Sequence, residues 1–279
     1  MDISRNDIVR PDVLDYETLC ELVPFFKGKK RLANLYCKLL RMDKVNKLHR
    51  NNCNKTGAKC AKGALEDLDI VMTVENEDHL DSLPEGAFIT ISNHPFGALD
   101  GIMLVSLLAS RRKDYKVIVH LILTYVTALR NLFIPVDPNA SDDPYKKSIS
   151  MRGIREAIKH VREGHPIGIF PAGTVARVNR KLEVADNKWQ PTIVRMIQQL
   201  KVPVVPIYFH GKNSLISYLL GNISIALRAL LLPSEIFRKK GSTMRITVGK
   251  PISVEEQAQY ENLEEYTAFL KERTFAMKY

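Results

Sequence analysis

A histidine and an aspartate, His94 and Asp100, follow closely on an apolar stretch, residues 87–92, that is typical of a buried strand. A carboxylate that contacts one nitrogen of an imidazole ring fixes its tautomer and leaves the second nitrogen free to accept a proton. The pair could therefore serve as a general base at the end of a strand. The same residues are also compatible with a histidine satisfied by its neighbours beside an aspartate that caps a helix.

Proline and glycine decide how the chain continues after His94. Pro95 pushes His94 toward an extended conformation, so we expect the helix to begin only around residues 96–98. In one continuous helix, His94 and Asp100 would lie well off a shared face. We therefore predict a loop at His94, made flexible by Gly97, which lets Asp100 turn back toward the imidazole.

A second stretch, residues 167–181, also runs from a strand-like segment into a turn. Free backbone N–H groups of Gly173 and Thr174 could bind an oxyanion or a phosphate there. Arg177 and Arg180 stand just beyond. The alternative is a simple corner of the chain with exposed cations.

A third stretch, residues 201–211, reads as a buried strand that leads to His210. A lone histidine in such a place is more often structural than catalytic, and this is what we expect of His210. In parallel α/β sheets, sites form at the carboxyl ends of the strands, and the position of His94 after residues 87–92 fits that rule.

Taken in order, these stretches resemble the glycerolipid acyltransferase superfamily, and in particular its members that form phosphatidic acid. The resemblance spans about residues 85–211 and rests on blocks in the family's order: Asn93-His94 with Asp100, Phe133-Ile134, Phe170-Pro171-Ala172-Gly173-Thr174 and Val202-Pro203-Val204-Val205-Pro206. One such block would be weak, but the ordered set is specific.

The chain departs from the main family pattern at several positions. The spacer between His94 and Asp100 is one residue longer than in the main family. Ala172 stands where a glutamate is usual, and Val175 and Val136 stand where arginines are expected. The resemblance assigns those missing groups to a glycerol-phosphate acceptor. The pattern instead resembles a bacterial, hemolysin-like branch near the acyltransferases of amino-acid lipids.

The resemblance implies transfer of a fatty acyl group from a thioester to the hydroxyl of a lysolipid, with His94 as the base and Asp100 orienting it. It implies no bound cofactor and no metal, and acyl-CoA or acyl carrier protein as the donor. The residues expected to bind substrate are Asn93, Phe170, Pro171, Gly173, Thr174, Arg177 and Arg180. The acceptor is expected to be an amino-acid-containing lysolipid of the membrane. Two alternatives remain open: a 1-acylglycerol-3-phosphate acyltransferase, and a non-catalytic lipid-binding protein.

Short apolar runs alternate with helix-like segments from about residue 68 onward, which favours an α/β fold. The runs lie at residues 69–74, 87–92, 117–122, 167–170, 204–209 and 244–249. Helices are predicted over residues 15–48, 98–110, 143–163, 188–200 and 253–275, and residues 51–66 read as a polar loop or short helix. We predict a mostly parallel sheet flanked by helices, with an N-terminal helical, basic amphipathic segment (1–66) before the α/β domain (67–279).

The composition indicates a globular protein with a cationic surplus. Among 279 residues, 45% are hydrophobic, and 41 Lys and Arg stand against 31 Asp and Glu, a formal net charge of +10. Such a surplus suits an anionic membrane surface, an acidic carrier protein, a phosphorylated cofactor or simply solvent. No motif of a specific nucleic-acid binder accompanies it. The four cysteines form no C-x-x-C pair, which predicts reduced thiols.

Membrane contact is predicted without a membrane span. Residues 15–48 contain a basic amphipathic helix that could lie on an anionic surface or pack its leucines on the core. Residues 117–136 and 214–233 are apolar but are interrupted by charged residues or glycine. We expect buried strand and core helix for the first and a surface-seeking segment for the second. The first residues lack the apolar core of a signal peptide. We therefore predict a peripheral or monotopic protein on the cytoplasmic face of the inner membrane.

Overall fold

The computed structural model describes residues 9–137, 143–178, 184–218 and 225–279. Its strands are β1 (Val71–Glu75), β2 (Ile89–Ser92), β3 (Lys116–His120), β4 (Phe133–Val136), β5 (Ile167–Ile169), β6 (Arg177–Val178), β7 (Val184–Ala185), β8 (Val204–Phe209) and β9 (Thr243–Val248). Most of these strands form one seven-stranded sheet in the order β1-β9-β8-β2-β5-β3-β4. The short strands β6 and β7 form a separate antiparallel pair.

Neighbouring strands of the large sheet run parallel, except that β8 and β9 are antiparallel. The predicted mostly parallel sheet is therefore confirmed. Because β2 lies between β5 and β8 and is parallel to both, their carboxyl ends meet at one edge of the sheet. The three stretches singled out in the sequence thus end side by side.

Helices cover both faces of this sheet. They are α1 (Tyr16–Leu22), α2 (Lys30–Leu39), α3 (Met42–Asn52), α4 (Ala58–Asp67), α5 (Asp78–Asp81), α6 (Ala98–Leu108), α7 (Pro144–Arg162), α8 (Pro191–Leu200), α9 (Ile225–Arg238), α10 (Val254–Gln257) and α11 (Leu263–Phe275). Short 3-10 helices occupy Pro24–Phe26, Leu121–Tyr125, Thr127–Leu132 and Ala276–Lys278. In the part of the chain described here, no helix combines the length and the apolarity that crossing a membrane requires.

Alternation along the strands divides the core between the two faces, because successive side chains of a strand point in opposite directions. Ile89 and Ile91 of β2 pack with α7, α8 and α11. Val205 and Ile207 of β8 pack in the cluster beneath α4 and α6. The central strands are therefore buried on both sides, as expected for a parallel sheet.

The N-terminal region is more broken than the sequence suggested. The helix predicted over residues 15–48 is interrupted at Gly28 and Arg41, which both adopt positive φ angles, 75° and 55°. Residues 51–66, read as a polar loop or short helix, contain the start of α4, which buries Cys60 and Leu65 in the main core.

Two further apolar segments have different outcomes. Residues 117–136 form β3, two 3-10 turns and the short strand β4, rather than a strand and a core helix. Pro135 is tolerated in β4 because this strand lies at the edge of the sheet. Within the predicted surface-seeking segment 214–233, residues 219–224 lie outside the described residues, while Leu215 and Ile216 are exposed.

Candidate active site

His94 and Asp100 are in direct contact just beyond the carboxyl end of β2. The ring Nδ1 of His94 lies 2.9 Å from Oδ2 of Asp100. The aspartate side chain is fully buried, whereas 17% of the histidine side chain is exposed. A carboxylate at Nδ1 places the proton on that nitrogen and leaves Nε2 as the proton acceptor. The pair therefore has the geometry of a general base and its orienting acid.

The backbone around Gly97 makes this contact possible. Gly97 has φ 91° and ψ −124° and forms the N-cap of α6, in which Asp100 lies in the first turn. A Cβ atom at Gly97 would lie 3.1 Å from Leu232 and 3.2 Å from Val175, so both the conformation and the space demand glycine. The loop predicted from Pro95 and Gly97 is present.

The carboxylate of Asp100 has two functions at once. Its Oδ2 accepts hydrogen bonds from the backbone N–H groups of Phe96 and Gly97, each at 2.9 Å, in addition to the contact with His94. Asp100 therefore both caps the helix and contacts the histidine. Burial raises the pKa of Asp100, while the donors on Oδ2 favour its ionised form.

The ring and the peptide groups of His94 are held on several sides. The ring of Phe170 stacks on the imidazole with centroids 4.2 Å apart. The His94 N–H donates to Oδ1 of Asp186 at 3.2 Å, and the His94 carbonyl accepts from Ala176 N at 2.8 Å. The segments around Ala176 and Asp186 thus hold the loop that carries His94 at the edge of the sheet.

Asp186 was missed by the sequence reasoning. It lies far from His94 along the chain and belongs to no block of the resemblance. Burial raises the pKa of its carboxyl, and the N–H of His94 opposes that effect. Its contact with the His94 backbone makes it a positioning residue, and only the fold brings the two together.

Asn93 anchors the loop to β8. Its side-chain amide donates to the Phe209 carbonyl at 2.9 Å, and its oxygen accepts from Phe209 N at 2.7 Å. Both polar groups of this buried side chain are thus engaged by backbone. The contacts favour a role in placing His94 rather than the direct substrate contact we had predicted for Asn93.

The turn after β5 differs in detail from the expected anion site. The N–H of Gly173 is not free, because it donates to the Phe170 carbonyl at 2.9 Å. In the described residues the N–H of Thr174 has no acceptor, and the Thr174 hydroxyl accepts from Asn187 at 2.6 Å. Pro171 forms part of the same turn and accepts from Gln190 N through its carbonyl. Thr174 is therefore the better candidate for an oxyanion donor.

The two predicted arginines have different outcomes. Arg177 begins β6, beside this turn, and within the described residues its buried Nε has no hydrogen-bond partner. Arg180 lies outside the described residues. Substrate contacts of either arginine stay predictions.

In the part of the chain that the structure describes, this site contains neither a cysteine nor a cluster of metal-binding side chains. All four cysteines are free and lie in or near the N-terminal helices, and burial raises the pKa of Cys60 to about 11. Ser92 is buried at the end of β2, and its hydroxyl has no partner among the described residues. No cluster of His, Cys, Asp or Glu among them could hold a metal ion. A covalent intermediate on these groups is disfavoured by their placement.

A buried acid and an oriented imidazole thus lie together at the carboxyl edge of a parallel sheet. The profile of the Acyltransferase family matches residues 35–279, and the chain belongs to that family. The protein is therefore an acyltransferase, and its resemblance to the glycerolipid acyltransferase superfamily is confirmed.

Two curated proteins are similar to this chain. The chain is 29% identical to a lyso-glycine lipid O-acyltransferase of Phocaeicola vulgatus over 240 residues, 81% of each chain. It is also 29% identical to a lyso-glycine lipid O-acyltransferase of Bacteroides thetaiotaomicron over 226 residues, 77% of this chain and 78% of that one. A solved structure that the chain resembles is the 1-acyl-sn-glycerophosphate acyltransferase of Thermotoga maritima. That match has 16% identity and a TM-score of 0.47, and covers 78% of this chain and 80% of the other.

Proposed function

We propose that the protein transfers a fatty acyl group from an acyl thioester to the hydroxyl of an amino-acid-containing lysolipid, in membrane lipid synthesis. The observation that carries this proposal is the 2.9 Å contact of His94 with buried Asp100, which leaves Nε2 as the base. The names of the curated relatives support the choice of acceptor.

The reaction needs one base and no covalent intermediate. Nε2 of His94 takes the proton of the acceptor hydroxyl as its oxygen attacks the thioester carbonyl. The tetrahedral intermediate then collapses, the carbon–sulfur bond breaks, and the imidazolium returns the proton to the departing thiolate. Asp100 stabilises the imidazolium between these steps, so the base is regenerated in each turnover.

The negative charge on the intermediate requires a donor that is already in place. The Thr174 N–H is our candidate, since the Gly173 N–H is used within the turn. Arg177 lies on the adjoining hairpin and is our candidate for the phosphates of the donor, acyl-CoA or acyl carrier protein. Loss of the Thr174 N–H or of the Arg177 side chain should slow the reaction, while His94 remains available as the base.

Two apolar residues after β5 support an acceptor that carries no phosphomonoester. Ala172 and Val175 are buried apolar residues at the positions where the family pattern has a glutamate and an arginine. A dianionic phosphate would require cationic partners there. Lysophosphatidate is accordingly the disfavoured acceptor.

The surface of α2 supports a peripheral or monotopic position on the cytoplasmic face of the inner membrane. Leu32, Leu35 and Leu39 are 43%, 63% and 77% exposed, so this leucine face does not pack on the core. Lys30 and Lys38 lie on the same helix. An apolar face bordered by lysines binds anionic bilayers through burial and charge together.

Vesicle sedimentation tests this docking surface. Wild-type protein should pellet with vesicles that contain anionic lipid and much less with purely zwitterionic ones. Replacing Leu32, Leu35 and Leu39 with serine should release the protein from both kinds of vesicle. Equal binding of the triple variant would refute a membrane contact through α2.

A competition assay tests the acceptor. Purified enzyme receives an acyl thioester and equal amounts of a glycine-containing lysolipid and lysophosphatidate, and mass spectrometry quantifies both products. We expect the acylated glycine lipid to dominate. Dominant phosphatidate would mean a 1-acylglycerol-3-phosphate acyltransferase, and lipid binding without any product would mean a non-catalytic lipid-binding protein.

A further inference from the structure

A cavity of about 470 Å³ borders the loop that carries His94. Asn93 and Pro95, the chain neighbours of His94, line it, together with Asp186, which holds the His94 backbone. The mechanism described above assigns no substrate to this cavity. A group bound in it would lie next to the loop that carries His94.

Three cationic residues line the cavity. They are Lys212 after β8, Arg245 of β9 and Lys278 near the C-terminus, and they are called the cationic wall below. These side chains come from three separate segments of the chain, and the fold brings them to one cavity. Such a wall attracts an anion.

Arg245 is held in place by a closed network. Its Nη2 donates to Nδ1 of His210 at 2.7 Å, and Nε2 of His210 donates to the Thr247 hydroxyl, also at 2.7 Å. That hydroxyl donates to Glu75 at 2.6 Å, and Glu75 lies 3.3 Å from Nη1 of Arg245. Burial and the neighbouring arginine lower the pKa of His210, which keeps it neutral and able to accept from Arg245.

The network explains His210 and leaves Arg245 available. His210 has the structural role expected of a lone histidine, because both ring nitrogens are engaged. The Arg245 side chain remains half-exposed at the cavity wall. A guanidinium fixed in this way loses little freedom when it binds a carboxylate.

We propose that this cavity binds the carboxylate of the acceptor lysolipid, against Arg245 and Lys212. The proposal rests on the function proposed above. Two acids, Asp186 in the wall and Glu75 behind Arg245, offset part of the charge of the three cations. The remaining charge matches a monoanion better than the several phosphates of coenzyme A.

The cationic wall also selects how the amino acid is attached. Glycine has no side-chain hydroxyl, so O-acylation of a glycine lipid has to occur on a hydroxyl of its fatty chain. Attachment through the glycine nitrogen leaves a free carboxylate, whereas attachment through its carboxyl group leaves a free ammonium. Only the first headgroup complements Lys212 and Arg245.

The test compares two acceptors that differ only in charge. One is glycine linked through its nitrogen to a hydroxy fatty acid, and the other is the same lipid with the carboxylate converted to a carboxamide. We expect the wild-type enzyme to prefer the acid in kcat/KM by at least about tenfold, as for loss of one charged hydrogen-bonding group. Arg245→Met and Lys212→Met should each bring this preference toward one. Lys62→Met, which removes an exposed lysine of α4, should keep it.

Thermal melting shows which variants are folded, and Lys212→Met keeps the test valid if the loss of Arg245 unfolds β9. Equal wild-type kcat/KM for acid and carboxamide would overturn the cavity proposal while leaving the proposed function standing. The cavity proposal would also be overturned if Arg245→Met and Lys212→Met raised the KM of the acyl donor and left the acceptor preference unchanged. If neither acceptor were acylated while lysophosphatidate was, the proposed function itself would fail.

Discussion

Replacing Asp100 with asparagine separates the catalytic role of this residue from its role in the fold. The amide oxygen of asparagine can still accept from the N–H groups of Phe96 and Gly97, which cap α6. It cannot neutralise the positive charge that His94 acquires when it takes a proton. The variant therefore keeps the shape of the site and loses its electrostatic support.

The structure sets the expected magnitudes. Hydrogen bonds to a charged acceptor are stronger than neutral ones by about 1 kcal/mol each, so the two backbone bonds would cost up to about 2 kcal/mol of stability. Relief from burying a charge, which raises the pKa of Asp100, offsets part of that cost. Loss of a working general base slows a reaction about 10²–10⁴-fold, equal to roughly 3–5 kcal/mol of transition-state stabilisation. Activity should thus fall far more than stability.

The assay measures kcat with saturating thioester and acceptor, together with urea unfolding. Asp143→Asn is the matched control. Asp143 also accepts from two backbone N–H groups at the start of a helix, α7, and the substitution removes the same charge. It lies far from His94 in the sequence. Asp143→Asn should retain wild-type kcat. If the kcat of Asp100→Asn were within threefold of the wild-type value, the assignment of His94 as a base supported by Asp100 would be refuted.

Three further predictions concern neighbouring features. Gly97→Ala should lower stability by about 1–3 kcal/mol in urea unfolding, since its φ of 91° is strained for alanine; an unchanged midpoint would contradict this. Phe170→Leu should reduce kcat severalfold with little change in KM, because the ring that stacks on the imidazole is lost; a pure KM effect would show that Phe170 binds substrate instead. The folded-state pKa values of His120, His160 and His210 lie below the usual 6.5 because these groups are buried. Their contribution to stability is complete above pH 6.5 and is lost as pH falls through the lowered values. The free energy of unfolding should therefore be smaller at pH 5.5 than at pH 7.5. An equal free energy of unfolding at both pH values would contradict this prediction.

Local chemistry explains why part of the site was predictable. Pro95 and Gly97 are neighbours of His94 in the chain, and their backbone preferences predict a loop that allows Asp100 to turn back toward the imidazole. The parallel arrangement of β2, β5 and β8 also follows from alternating strands and helices. These features depend on residues close together in sequence.

The remaining features depend on contacts between distant segments. Asp186 reaches His94 only because the β6–β7 hairpin folds over the edge of the sheet. Arg245 meets His210 because β9 runs antiparallel to β8, a reversal that no local pattern signals. Such contacts are set by tertiary packing, which a single sequence does not reveal.

The most direct test of the central claim is lipid analysis of cells that produce either the wild-type protein or His94→Ala at equal levels. The account predicts that the O-acylated amino-acid lipid appears only with the wild-type protein, while its lysolipid precursor accumulates with the variant. Equal amounts of the acylated lipid in both cell lines would contradict the assignment of His94 as the catalytic base.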